Sequence, residues 1–289
     1  MKEIVVVSGK GGAGKSTVTA ALSYFLDKND VLIDADVDAP NMKILLEPKT
    51  IKKEDFYSGK EFKIETEVCT NCGKCYEECA FNAIDFLDSY YVIDQISCES
   101  CGLCQFICPV NAVSDVPKLT GKKFLSYIKY GFPMVHASLN PAEENSGKLV
   151  TDIKKMAKTI AEEQEAKIIL IDGPPGIGCS AISAISGSDT VLLVVESSIS
   201  GLHDMERLIE LVKKFNIQKK GFINKFGVNP EIDEKVIHMF EKNDVDIIGY
   251  LNFSEKIPEL LKKRQILTED KFYYKNFENV FLKLAEEAK

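Results

Sequence analysis

Two sets of side chains carry the chemistry of this sequence. In the first, the segment SGKGGAGKST places Gly9, Gly14, Lys15 and Ser16 at the spacing G-x-x-x-x-G-K-[ST], directly after an apolar run. Gly9, Gly11, Gly12 and Gly14, with Ala13 among them, leave successive backbone N–H groups free to face phosphate oxygens. A helix opening at Lys15 adds positive potential at its N-terminus. Lys15 is then expected to reach the β and γ phosphates of a nucleotide, and Ser16, followed by Thr17, to ligate Mg²⁺. In the second set, Cys69, Cys72, Cys75 and Cys79 follow C-x2-C-x2-C-x3-C, and Cys98, Cys101, Cys104 and Cys108 repeat the run 29 residues later. Eight of nine cysteines so arranged point to metal or redox chemistry rather than to a disulfide framework. Zinc sites pair C-x2-C units instead of repeating a four-cysteine run.

The elements that must hold these groups are legible in outline. The run Ile4 to Val7, the glycine loop, a helix from Lys15 to about Asp27 and a buried-type strand from Val31 to Ile33 make a βαβ start. Strands are expected at Ile168 to Ile171, Val191 to Val195, Gly221 to Ile223 and Asp246 to Leu251, separated by helical patterns at Leu202 to Phe215 and Glu231 to Lys242. That alternation predicts an α/β fold with a mostly parallel sheet between helices. The chain has 289 residues, 45% apolar and 28% charged, which excludes a disordered or fibrous protein. No apolar run approaches the roughly 18 residues of a membrane helix, and four apolar residues before the loop make neither a secretory signal nor an anchor. A cytoplasmic protein is expected.

The stretch from Glu65 to Val116 breaks the α/β rhythm and reads as a small domain inserted into a surface loop. Three segments follow: residues 1–64 and 117–289 of one α/β domain, and the insert at 65–116. Within 65–113 eight acids face Lys74 alone, which accounts for nearly all of the net charge of −8. Such a surface disfavours nucleic acid and anionic lipid and suits a protein partner with a basic docking face. Arginine occurs only at 207 and 264, so phosphate chemistry rests on lysine, backbone amides and metal.

The extra lysine, Lys10, makes the loop KGGxGK[ST], and the sequence resembles the MinD and Mrp class of P-loop ATPases, relatives of the nitrogenase iron protein. The likeness extends through IDADVDAPN, DGPPGIG, ESSISGLHDMERL and PAEENSGKLV. The resemblance implies ATP hydrolysis by a homodimer in which Lys10 crosses to the partner's nucleotide. It implies that Asp36 orients the attacking water, with Asp34 and Asp38 as alternatives for that role or for the Mg²⁺ shell. By the same likeness Asp172 contacts Mg²⁺, the Gly176 amide faces the γ phosphate, and Asn224 recognises adenine.

The cysteine run resembles bacterial-type two-cluster ferredoxins, in which the fourth cysteine of each run serves the other cluster. That likeness assigns one [4Fe-4S] cluster to Cys69, Cys72, Cys75 and Cys108, and the other to Cys98, Cys101, Cys104 and Cys79. Pro109 follows Cys108 whereas Ala80 follows Cys79, so the two sites need not be equivalent. Cys179, alone after GIG, is expected as a buried structural thiol, and His136, His203 and His238 as packing or surface residues. The final helix, Asn276 to Ala288, carries Phe277, Val280, Phe281 and Leu284 on one side and is expected to face the core. These readings converge on an ATPase coupled to an inserted ferredoxin that transfers electrons or handles iron–sulfur clusters, toward a redox or cluster-accepting partner. The alternative is a MinD/ParA-like regulatory or positioning ATPase whose clusters are sensory or structural.

Overall fold

The computed structural model describes every residue except 142, 144 and 287–289. In chain order the elements are β1 (Lys2–Ser8), α1 (Lys15–Ser23), β2 (Val31–Asp34), α2 (Met42–Leu46), β3 (Lys49–Ile64), α3 (Lys74–Glu77), β4 (Ile84–Leu87), β5 (Tyr90–Ile93), α4 (Leu103–Phe106), β6 (Val113–Tyr127) and β7 (Pro133–Leu139). They continue as α5 (Ser146–Glu163), β8 (Ile168–Pro175), α6 (Cys179–Ile185), β9 (Thr190–Glu196), α7 (Ile199–Val212), β10 (Gln218–Phe226), α8 (Pro230–Lys242), β11 (Asp246–Asn252), α9 (Lys256–Lys262) and α10 (Lys271–Ala285). The chain divides into two compact bodies, one of residues 1–54 and 122–289, the other of residues 55–121.

Among the described residues the main sheet runs β11-β10-β9-β1-β8-β2-β7-β6-β3. β1 pairs in parallel with both β8 and β9, β2 with β7 and β8, and β10 with β9 and β11. Strands buried on both faces must be apolar throughout, and Ile4 to Val7 and Val191 to Val195 are accordingly all buried. From β1 the chain travels to one side of the sheet, reaching β2. From β8 to β9 it crosses to the other side. Ligands of open α/β sheets sit at the carboxyl ends of the strands where travel reverses in this way. Ser8, Asp34, Asp172, Glu196 and Asn224 all lie at that edge.

Local chemistry sets the element ends. α1 stops at Ser23, short of the expected Asp27, because Phe25 and Leu26 donate to carbonyls three residues back and Asp30 Oδ2 takes the Asp27 amide at 2.9 Å. Ser198 caps α7 by accepting from Gly201 N at 3.0 Å, and Asn229 caps α8 ahead of Pro230. Asp270 caps α10, which therefore starts at Lys271 instead of Asn276. Phe277, Val280 and Leu284 of α10 enter the core and Phe281 packs against it. The expected end at Ala288 lies outside the described residues.

The expected insert, 65–116, falls within the second compact unit, Asp55–Gly121, which begins inside β3 and ends inside β6. Neither strand reads as one from sequence. Lysines, Gly59, Pro117 and Gly121 interrupt them, and their burial lacks a sustained alternation. In this second body β4 and β5 form an antiparallel hairpin, pairing Ile84 with Ile93 and Phe86 with Tyr91. Its apolar cluster has four buried members, Phe62, Ile84, Ile93 and Val113, against which Cys75, Cys79, Cys98, Cys104 and Cys108 pack.

Candidate functional site

α1 presents three side chains to one carboxylate. Lys15 Nζ lies 2.9 Å from Asp172 Oδ2, Ser16 Oγ donates to the same oxygen at 2.7 Å, and Thr19 Oγ1 donates to Oδ1 at 2.8 Å. Residues 15, 16 and 19 share one helix face, and β8 brings Asp172 to it in register with β1. Lys15, Thr19 and Asp172 are buried, which strengthens these charged hydrogen bonds. Thr19 was not anticipated, although its spacing from Lys15 was the available signal.

A cleft of about 630 Å³ opens over the loop. Residues 10–17 line it together with Asp36, Asp38, Ile44 and Leu261. Asp36 is buried and accepts from Ala39 N at 3.3 Å. Burial raises its carboxyl above the usual range, against the lowering effect of Lys15. Asp34 stands behind it, accepting from Asp36 N and Met42 N, each at 3.3 Å, so one carboxylate ties both ends of the segment that presents Asp36. Burial, reinforced by Asp172, pushes the Asp34 carboxyl up to about 8. Asp38 is exposed at the rim.

Gly9, Asp172, Gly176 and Asn224 are not among the residues that line the cleft. The Gly176 amide, expected toward a γ phosphate, donates to Ser8 O at 2.9 Å. Asn224, expected at adenine, donates its side-chain amide to Ala13 O at 2.9 Å and accepts from Lys225 N through Oδ1. Each polar atom of that side chain thus makes one hydrogen bond to backbone.

Lys10 turns back onto its own chain. It forms an ion pair with Glu196 and donates to Ser200 Oγ at 2.6 Å. Glu196 also takes Lys225 Nζ at 2.7 Å and Ser198 Oγ at 2.9 Å. Burial raises this carboxyl, but the three donors outweigh it and hold it at about 2. Glu196 and Ser200 lie in the segment ESSISGLHDMERL that carries the family likeness, but their contact with Lys10 exists only once the strands are aligned.

Among the described residues no three His, Cys, Asp or Glu side chains converge on a single ion position. The hard oxygens of Ser16 and Asp172 nevertheless suit Mg²⁺ shared with phosphate oxygens. In the second body the cysteines line two separate cavities. One is bounded by Cys69, Cys72, Cys75 and Cys108, the other by Cys79, Cys98, Cys101 and Cys104, and Cys75 lines both. The two halves repeat in detail. Ala83 N donates to Cys79 Sγ at 3.4 Å and Ala112 N to Cys108 Sγ at 3.2 Å. Gly73 and Gly102 both have positive φ, and each meets the tip of an aromatic ring, Tyr91 Oη and Phe62 Cζ respectively. Those rings are themselves 29 residues apart, and each packs in the cavity of the other repeat.

Cys179 is exposed at the start of α6, contrary to the buried thiol expected, because the chain turns out of β8 there and α6 buries Ala181, Ala184 and Ile185 instead. His203 and His238 are exposed. His136 is buried on β7, 2.9 Å from Ser126 Oγ, and burial pushes it down to about 4.

Comparison with known proteins bears on the first site. The model of the CobQ/CobB/MinD/ParA nucleotide binding domain matches residues 4–267. An uncharacterized protein of Methanocaldococcus jannaschii, MJ0578, is 38% identical over 229 residues, 78% of this chain and 79% of its own. The septum site-determining protein MinD of Bacillus subtilis is 23% identical over 267 residues, 88% of this chain and 77% of its own. Among solved structures, the MinD cell division protein of Aquifex aeolicus matches 100% of this chain and 99% of that one, with 19% identity and a TM-score of 0.57. MinD of Pyrococcus horikoshii, complexed with Mg-ADP, matches 98% and 94%, with 19% identity and a TM-score of 0.53. At these identities the structural likeness concerns the fold.

Proposed function

Because the chain belongs to the CobQ/CobB/MinD/ParA family of nucleotide-binding domains, we propose that it is a nucleotide-switched ATPase of the MinD/ParA kind that closes against a second copy of itself around MgATP. Its family makes it a P-loop ATPase. The observation that carries the reading is the convergence of Lys15, Ser16 and Thr19 on Asp172 beneath a loop of consecutive amides. In this reading Lys15 neutralises the β and γ phosphates and Ser16 and Asp172 hold Mg²⁺, which would supply charge at the phosphates. Asp36, on the cleft wall, orients the attacking water. The test is MgATP hydrolysis and molecular mass in solution. Wild type should hydrolyse and dimerise, Lys15→Ala should do neither, and Asp36→Asn should dimerise without turnover.

A second layer rests on the cysteines. Residues 55–121 are proposed to hold two [4Fe-4S] clusters, one on Cys69, Cys72, Cys75 and Cys108 and the other on Cys98, Cys101, Cys104 and Cys79, a division that the lining of the two cavities supports. Three features support this: free thiols lining two cavities, amides donating to Cys79 and Cys108, and an apolar core of four side chains. A body this small needs a staple, and five of the cysteines pack against its four-residue apolar cluster. A four-iron cluster is bound through four separate irons, so its thiols need not point at one position. Fully loaded protein purified without oxygen should contain iron and sulfide in equal amounts.

The relatives favour a regulatory or positioning role for the ATPase, as in MinD, and electron transfer or cluster handling is the reading that the cysteines favour. Electron transfer to a basic-faced partner in the cytoplasm would use the exposed acids of the second body. Redox titration with and without MgATP separates the two: a potential that moves with nucleotide supports redox work, and an unmoved one supports the regulatory role.

A further inference from the structure

We propose that Lys154, on α5, is a positioning residue for the nucleotide cleft: it holds the carboxyl end of α6 and so sets where the opposite end of that helix stands in the cleft wall. The cleft's role in ATP hydrolysis rests on the ATPase reading above. Ser180, in the first turn of α6, lines the cleft together with Pro174, Pro175 and Asp36. At the other end of the helix, Lys154 Nζ donates to Ala184 O at 2.8 Å, to Ser186 O at 2.7 Å and to Ser188 Oγ at 3.3 Å. The two ends are about 9 Å apart along the axis, at the rise of an α-helix.

α6 has little else to fix it. It spans seven residues, Cys179–Ile185, of which Ala181, Ala184 and Ile185 are buried. Two of those three side chains are single methyl groups, so burial stabilises the helix little, and a helix this short does not persist alone. Among the described residues no side chain caps its N-terminus, and Gly176 and Gly178 lead into it, the first with φ +84°. α5 is the opposite case: it runs for 18 residues and buries Leu149, Val150, Ile153, Ala157 and Ala161. It touches α6 at both ends. A Cβ on Gly147 would come within 3.2 Å of the Cys179 backbone, and Lys154, two turns further along the same face, takes the final carbonyls. A weakly packed helix is thereby fastened to a firmly packed one.

An ammonium suits this end of a helix. The last carbonyls have no partner within the helix and form the negative end of its dipole, so a cation with several donors meets both needs. The Lys154 side chain is only 12% exposed, and burial lowers its pKa while Glu3, 3.5 Å away, opposes that shift. A methionine would fill the same space with no charge to bury. What the lysine adds is three donors, and each has an acceptor at the end of α6 or just beyond it.

The experiment uses the full chain and its Lys154→Met and Lys154→Arg variants, with Lys154→Gln carrying the same comparison if Lys154→Met does not fold. Hydrogen–deuterium exchange without nucleotide should show amides 182–188 exchanging several-fold faster in Lys154→Met than in wild type. Affinity for a fluorescent ADP analogue should stay within about twofold, because Lys15 and the glycine loop are untouched, whereas MgATP turnover should fall about tenfold at a nearly unchanged half-saturating concentration. Lys154→Arg, which keeps the charge and the donors, should recover most of the turnover. Unchanged exchange in α6 overturns the hold. Faster exchange with wild-type turnover overturns the positioning role, and so does a parallel loss of ADP affinity and turnover, which a general loosening of the fold would give. A wild type that does not hydrolyse MgATP overturns the ATPase reading, while the exchange result still decides whether Lys154 holds α6.

Discussion

Asn224, at the end of β10, donates its side-chain amide to the carbonyl of Ala13 at 2.9 Å, and its nitrogen occupies the place where a side chain on Gly14 would begin. The phosphate loop is thus braced from a strand more than 200 residues further along the chain. Gly14 also has φ +91°, which only glycine adopts freely. Gly14→Ala should therefore abolish nucleotide binding. Asn224→Ala, which removes the brace and leaves the loop sequence intact, should weaken MgATP binding about tenfold, near 1.4 kcal/mol for one buried hydrogen bond. Equilibrium binding of a fluorescent ATP analogue checks both, and undiminished affinity in Asn224→Ala would remove the brace.

Thr19 has one hydroxyl hydrogen with Asp172 Oδ1 at 2.8 Å and Lys15 O at 3.0 Å, and the carboxylate is the stronger acceptor. Thr19→Val keeps the shape and leaves that oxygen without its partner. A stability loss of about 1–3 kcal/mol is expected, with a fall in MgATP turnover, and Thr19→Ser should restore both. Urea unfolding and steady-state hydrolysis are the measurements.

Two carboxyls give opposite pH dependences in separate windows. The folded state holds Asp34 at about 8, above its ordinary 3.8, so its contribution to stability is complete below about pH 4 and is lost as pH rises toward 8. Asp36 shifts in the same direction. Glu196 is held at about 2, below 4.5, so its contribution is present above pH 4.5 and is lost only as pH falls toward 2. Urea midpoints should therefore decline between pH 5 and pH 8 in wild type and decline less in Asp34→Asn. Parallel curves for the two proteins would show that Asp34 is not the group responsible.

Cys79 belongs by sequence to the first cysteine run but lines the cavity of the second. On the proposed cluster reading, Cys79→Ser should strip iron from the Cys98 site alone, taking the chain from about eight irons to about four. Cys108→Ser should do the same to the Cys69 site. Iron analysis with electron paramagnetic resonance distinguishes this from loss of the site in the same run.

Much of this arrangement is local and was readable as such. The glycine loop, α1 and the strand carrying Asp172 follow from periodicity and from residues adjacent in sequence, and the cysteine spacing states its chemistry without a fold. The lysine-rich β3 and β6 were not readable. Their polar residues are tolerated at one side of the sheet, where pairing supplies the order that apolar alternation would supply in a central strand. A lone cysteine is on average buried, and only the exit of the chain from β8 exposes Cys179.

The amino-acid sequence by itself determined that a phosphate loop would form and that eight thiols would gather in two groups, because both depend on groups a few bonds apart. The tertiary structure decided which partners those groups meet: Glu196 for Lys10, Asn224 for Ala13, and Cys79 in the cavity of the other run. Those pairings join residues brought together by strand register and by the pseudo-symmetric packing of the repeats. Register is set by burying whole strands at once, which no short stretch of sequence records.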